Sequence, residues 1–170
     1  MKNIILLFVL LIFSDCKGQK IDRPEPCNCN LGAFTISNPN SVANIHLGKE
    51  GFKVMTLNFP FGEENENSIF FFNIESCDSG WLKVKILNAD GNMWMEPNKL
   101  ATTSRISNFK LYSSSRGEKI IFNSTESQIL NIRGCEGSWA FVSFKTEEGD
   151  LIEGWISPEE QCDNPYTTCP

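Results

Sequence analysis

The feature that most constrains this chain is an internal repeat. FFNIESCDSGWLKV, from Phe71 to Val84, aligns without gaps on ILNIRGCEGSWAFV, from Ile129 to Val142. Asn73 falls with Asn131, Ile74 with Ile132, Cys77 with Cys135, Trp81 with Trp139 and Val84 with Val142. Upstream, GFKVM from Gly51 matches GEKII from Gly117; downstream, Trp94 and Pro97 match Trp155 and Pro158. A chain repeated at this spacing is built from two like units, each too small to bury a large core alone. The units are read as residues 33–102 and 103–162, with Leu100-Ala-Thr-Thr-Ser-Arg105 as a short polar connector.

Each unit reads as β. Leu82, Val84 and Ile86 alternate with Lys83 and Lys85, and Ala140, Val142 and Phe144 alternate with Phe141, Ser143 and Lys145. That period of two marks a half-buried strand. Asp90-Gly91 and Gly149-Asp150 supply the turns that follow. Further strands are expected at Lys53–Leu57, Ile69–Ile74, Phe109–Ser113, Lys119–Asn123 and Gln128–Ile132. Several short strands joined by tight turns suit a small barrel better than a sandwich.

The first 18 residues read as an export signal. Met1-Lys2-Asn3 precedes an unbroken apolar run from Ile4 to Phe13, too short to span a bilayer but suited to a secretory signal. Two processing routes stay open: lipidation at Cys16, as in a bacterial lipoprotein, or cleavage after Gly18. Either route leaves Cys27, Cys29, Cys77, Cys135, Cys162 and Cys169, an even set that in an exported chain reads as disulfides. Cys135–Cys162 is the first expectation. It pairs Cys77 with Cys27 or Cys29 and leaves the other for Cys169; the rival pairing is Cys162–Cys169. Residues 19–32 read as an amino-terminal arm and 163–170 as a tail.

The second unit resembles a bacterial SH3-like domain. The resemblance lies in YSSSRGEKI, then Gly137-Ser138-Trp139 with Val142, then Gly154-Trp155-Ile156. The tail CDNPYTTCP resembles the endings of small exported SH3-like proteins from Bacteroidota-type bacteria. The first unit departs from the pattern, with Met93-Trp94 in place of Gly-Trp. The resemblance implies two tandem, disulfide-stapled SH3-like β-barrels, noncatalytic and associated with the cell envelope.

Composition narrows the function classes. Fifteen Lys+Arg against 21 Asp+Glu, a net charge of -6, and no basic block argue against a nucleic-acid partner. A single histidine, His46, excludes any site built from two imidazoles. Asn44-Ile-His-Leu47 matches Asn108-Phe-Lys-Leu111, so Lys110 fills the equivalent place and His46 reads as an outward polar slot. Cys27-x-Cys29 is no redox motif, and the cysteine spacing shows no zinc pattern, so neither metal nor cofactor is expected. The acidic Asn58–Asn67 segment reads as a solvated hairpin extension, and Glu147-Glu148 and Glu159-Glu160 as solvated turn carboxylates.

Period-two geometry turns Trp81 and Trp139 away from the core face, where with Tyr112 they line a candidate groove. Trp155 is a further candidate, although it and Trp94 also fit a core or rim position. The expected activity is recognition of an envelope protein, a peptide or a peptidoglycan component. The location expected is the periplasm or, through Cys16, the outer membrane. The alternative is an acidic inhibitor or immunity-type protein acting on an extracytoplasmic enzyme.

Overall fold

The computed structural model describes residues 21, 27–35, 42–58, 70–85, 91–105 and 108–162. The expected signal with Cys16, most of the acidic segment, and the tail with Cys169 lie outside them. So does Ile86.

The described chain is all-β. Its strands are β1 (Cys27–Thr35), β2 (Val42–Leu47), β3 (Phe52–Asn58), β4 (Phe71–Asp78), β5 (Trp81–Lys85), β6 (Met93–Met95), β7 (Leu100–Ser104), β8 (Phe109–Tyr112), β9 (Ile120–Ser124), β10 (Ile129–Glu136), β11 (Trp139–Lys145), β12 (Leu151–Ile156) and β13 (Gln161–Cys162). A single 3-10 turn, Pro158–Glu160, separates the last two. All form one antiparallel sheet in the order β3-β2-β6-β5-β4-β1-β7-β10-β11-β12-β8-β9, with β13 also on β7. The order has two ends and does not close on itself.

The repeat is visible in this order. The path β7-β1-β4-β5-β6-β2-β3 has the same connectivity as β13-β7-β10-β11-β12-β8-β9. Even the irregularities recur. The β4–β5 ladder skips a residue between Ile74 and Ser76, and β10–β11 does so between Ile132 and Gly134. Likewise β2–β3 breaks register at Ile45/His46 and β8–β9 at Leu111/Tyr112. Bulges bend a strand at a fixed point, so equal bulges give the two copies equal curvature.

β7 belongs to both copies. It pairs with β1 through Phe34↔Ala101 and Thr35↔Leu100, and with β10 through Leu130↔Thr102. The expected boundary between residues 102 and 103 therefore falls inside a central strand, and the polar connector is that strand. Its composition misled because it is buried on both faces: Leu100, Ala101 and Thr102 are 0% exposed. A strand covered on both sides need not alternate. Its hydroxyls satisfy buried partners instead. Thr102 and Thr103 donate to the Cys162 carbonyl at 3.0 and 2.9 Å, and Ser104 Oγ accepts the Gln128 N–H at 2.7 Å.

β1 likewise takes in the last part of the expected arm, residues 27–32. It runs along β4 from Cys27↔Cys77 to Phe34↔Phe71, but leaves register between Asn28 and Leu31. There the backbone turns to the second copy: Asn30 N–H donates to Gly137 O at 2.8 Å and Gly137 N–H to Asn28 O at 2.9 Å. A Cys29–Cys135 disulfide fastens the same point across a sequence separation of 106. Cys135 therefore does not pair with Cys162, nor Cys77 with Cys29. Cys162 is disulfide-bonded elsewhere. The β1 bulge, invisible in the sequence, aims Cys29 across the junction of the copies. One apolar cluster runs through both copies, from Leu31 and Ile45 to Leu130 and Ile156.

Candidate functional site

Cross-strand partners fix which residues are equivalent. His46 stands opposite Trp94, and Tyr112 opposite Trp155. Since Trp94 matches Trp155, it is Tyr112, and not Lys110, that takes the place of His46. The alignment of Asn44 with Asn108 is two residues out. A two-residue slip preserves which face each side chain takes, so alternation gives no warning of it.

The corrected pairing reveals a duplicated feature. In the first copy, the His46 ring meets Trp81 edge-on, with centroids 5.1 Å apart and planes at 90°. In the second, Tyr112 meets Trp139 at 5.5 Å and 79°. Each pair joins a ring on the second strand of its copy to the Trp that opens the fifth, and every ring is partly exposed. The hairpin turn before each Trp supplies the left-handed backbone that a tight reversal needs: Ser79-Gly80 at φ 52 and 83, and Gly137 at φ 58. The structure thus brings Trp81 to His46, and Trp139 to the expected partner Tyr112.

The surroundings of the two pairs differ. His46 is not an open polar slot. Its Nδ1 lies 3.0 Å from Gly51 O, and its Nε2 lies 3.2 Å from Glu96 Oε1. Asn44 Nδ2 also donates to Glu96 Oε1, at 3.1 Å. Beside Tyr112, the loop 114–117 comes close because residue 117 is glycine (φ 69): a Cβ there would sit 3.4 Å from Trp139 Cη2. Burial, then Glu160 and Glu159, push the Tyr112 hydroxyl pKa upward, because each disfavours the phenolate. Glu136, the cross-strand partner of Trp139, accepts a hydrogen bond from Ser115.

Trp155 lies inside the protein, 2% exposed, with its ring 5.4 Å from Phe141. Phe141 is its cross-strand neighbour. In the first copy Lys83 holds that place opposite Trp94, and its Nζ reaches Glu75 at 3.2 Å. Trp94 is only half-buried, and its indole N–H donates to Asn92 Oδ1.

The Gly-Trp versus Met-Trp difference has a packing consequence. A Cβ on Gly154 would lie 2.8 Å from Ile121 Cδ1 and 2.9 Å from Leu111 Cβ. Glycine there lets the bulged Ile121 dock on the core. Met93 holds that position in the first copy and packs against the core, and Val54, the counterpart of Ile121, is 49% exposed and Phe52 86%.

Cysteine spacing concealed one cluster. The Sγ atoms of Cys29, Cys77 and Cys135 lie within 4.8 Å of one another. They come from three strands, so no local motif signals them. Among the described residues this is the one group with donors dense enough for a metal ion. Asn108, Lys110, Asn123 and Glu126 line a shallow polar depression near Phe109. No protein-family model, curated protein or solved structure matches this chain.

Proposed function

We propose that this protein is a noncatalytic binding module of the cell envelope, built from two divergent SH3-like units. It is exported, and it is either soluble in the periplasm or held at the outer membrane through Cys16. The ligand is an extended polymer, a peptide or a cell-wall component. The observation that carries this reading is the duplicated edge-on ring pair, His46–Trp81 and Tyr112–Trp139. Two like aromatic stations on one continuous sheet suit a polymer that touches both, and rings with a polar tip serve peptides and sugars alike. The SH3-like part is supported by the Gly154-Trp155-Ile156 strand, and the two-unit part by the identical strand path of the copies.

The noncatalytic part is supported by His46. Both of its ring nitrogens face protein acceptors, Gly51 O and Glu96 Oε1, rather than a nucleophile among the described residues. The test is sedimentation with purified peptidoglycan, alongside tryptophan-fluorescence titration with its soluble fragments. Wild type is retained and quenched, whereas folded Trp81→Leu and Trp139→Leu proteins each lose most of the retention. Equal retention of all three would sink the ring pairs as the surface.

A second reading is favoured by the carboxylates around the Tyr112–Trp139 pair: Glu159 and Glu160 acting on Tyr112, and Glu136 opposite Trp139. They suit an inhibitor of a basic extracytoplasmic enzyme. Such a complex would be stoichiometric and would weaken steeply with salt.

A further inference from the structure

The two cysteines that the repeat makes equivalent, Cys77 and Cys135, meet where the copies join. Cys135 N–H donates to Cys77 Sγ at 3.4 Å, and the Cys77 thiol donates to Cys135 O at 3.4 Å. Cys29 enters from the β1 bulge and bonds Cys135. Cys77 and Cys135 are 4% and 0% exposed, while Cys29 is partly exposed.

We propose that, once reduced, Cys29, Cys77 and Cys135 form a binding site for a single thiophilic metal ion such as Zn2+, and that the disulfide and the metal are alternative occupants of this junction. A Zn–S distance of about 2.3 Å places neighbouring thiolates about 3.8–4.0 Å apart. The three sulfurs already lie within 4.8 Å of one another. Cys29 and Cys135, bonded to each other here, separate on reduction, and side-chain rotation supplies the movement. The Cys135 N–H aimed at Cys77 Sγ is the kind of outer hydrogen bond that steadies a metal thiolate. The partial exposure of Cys29 leaves a side from which water can complete the shell.

The chemistry balances with a named reductant. A phosphine gives two electrons to the disulfide and becomes its oxide with an oxygen from water, while two protons go to the sulfurs. The metal then displaces the thiol protons as it binds. Reduction by the same phosphine opens any other bridge in the chain, so the site does not depend on the prior state of Cys77.

The test is Co2+ titration of the full chain with and without a water-soluble phosphine, read as the thiolate-to-cobalt charge-transfer band, with far-ultraviolet circular dichroism in parallel. The reduced protein is expected to take up one Co2+, displaced by Zn2+, and the oxidised protein none. Cys77→Ser should weaken binding at least about tenfold, since even outer-shell changes cost roughly 10–100-fold. Cys162→Ser should bind as wild type does. The proposal is overturned by no band in a reduced, folded chain, by equal bands in Cys77→Ser and wild type, or by a reduced chain that unfolds and is not refolded by metal.

Discussion

His46 and Tyr112 occupy the same position in two copies of one strand path, opposite Trp94 and Trp155 and edge-on to Trp81 and Trp139. The duplication therefore extends beyond the backbone to a pair of rings. What differs is the polar company: Glu96 and Gly51 O hold one ring, while Glu159 and Glu160 act on the other.

Gly154→Ala tests the packing that separates the copies. The new Cβ would press on Ile121 and Leu111, so overpacking of about 1–3 kcal/mol is expected as a lower urea midpoint. An unchanged midpoint would show that β9 does not dock as described.

Ser104→Ala tests the hydroxyls of β7. The Gln128 N–H loses its acceptor in a part-buried site, and a loss of about 1–3 kcal/mol follows. Urea unfolding measures it, and a change within error would contradict the account.

Opening the Cys29–Cys135 bond releases a loop of 106 residues. The chain-entropy model gives about 4–5 kcal/mol for a loop of this length. A nonreduced digest should yield the peptide pair carrying Cys29 and Cys135. Cys29→Ser should lower the oxidised protein's midpoint toward that of the reduced protein. A Cys135–Cys162 peptide instead would refute the register of β1.

Stability should fall at both pH extremes, for assignable reasons. Hydrogen bonds from Lys49 and then Ser79 hold the Asp78 carboxyl below its ordinary value of 3.8. The carboxylate is thus the favoured form in the fold, so its contribution is present above that value and is lost as pH falls below it. Tyr112 runs the other way. Its raised pKa favours the neutral phenol, so its contribution is present below its ordinary value of 10.0 and is lost as pH rises beyond it. Asp78→Asn should flatten the acid limb of a melting-temperature profile, and Tyr112→Phe the alkaline limb. Unaltered limbs would dismiss these assignments.

Much of this was legible in the sequence. The repeat and the strands at Leu82–Lys85 and Ala140–Lys145 follow from gapless alignment and alternation, although β11 departs from the expected half-burial, with Phe141 and Ser143 buried as well. β7 did not, because Leu100-Ala-Thr-Thr-Ser104 carries no period, and its polar Thr102 and Ser104 are buried in a strand flanked by β1 and β10. β1 was concealed by its asparagines and by a bulge that no composition announces. The same bulge decides the disulfide, so the cysteine pairing and the three-sulfur cluster were out of reach together. His46 was misplaced by a slip of two residues, which leaves every face unchanged.

The account rests on β1 and β7 being adjacent central strands that weld the copies together. Native-state hydrogen exchange, resolved by residue, reads this directly. The account predicts that the β7 amides, with those of Phe34 and Thr35, exchange among the slowest in the protein, close to the rate set by global unfolding. Fast exchange at residues 100–104, as in an exposed connector between independent units, would contradict it.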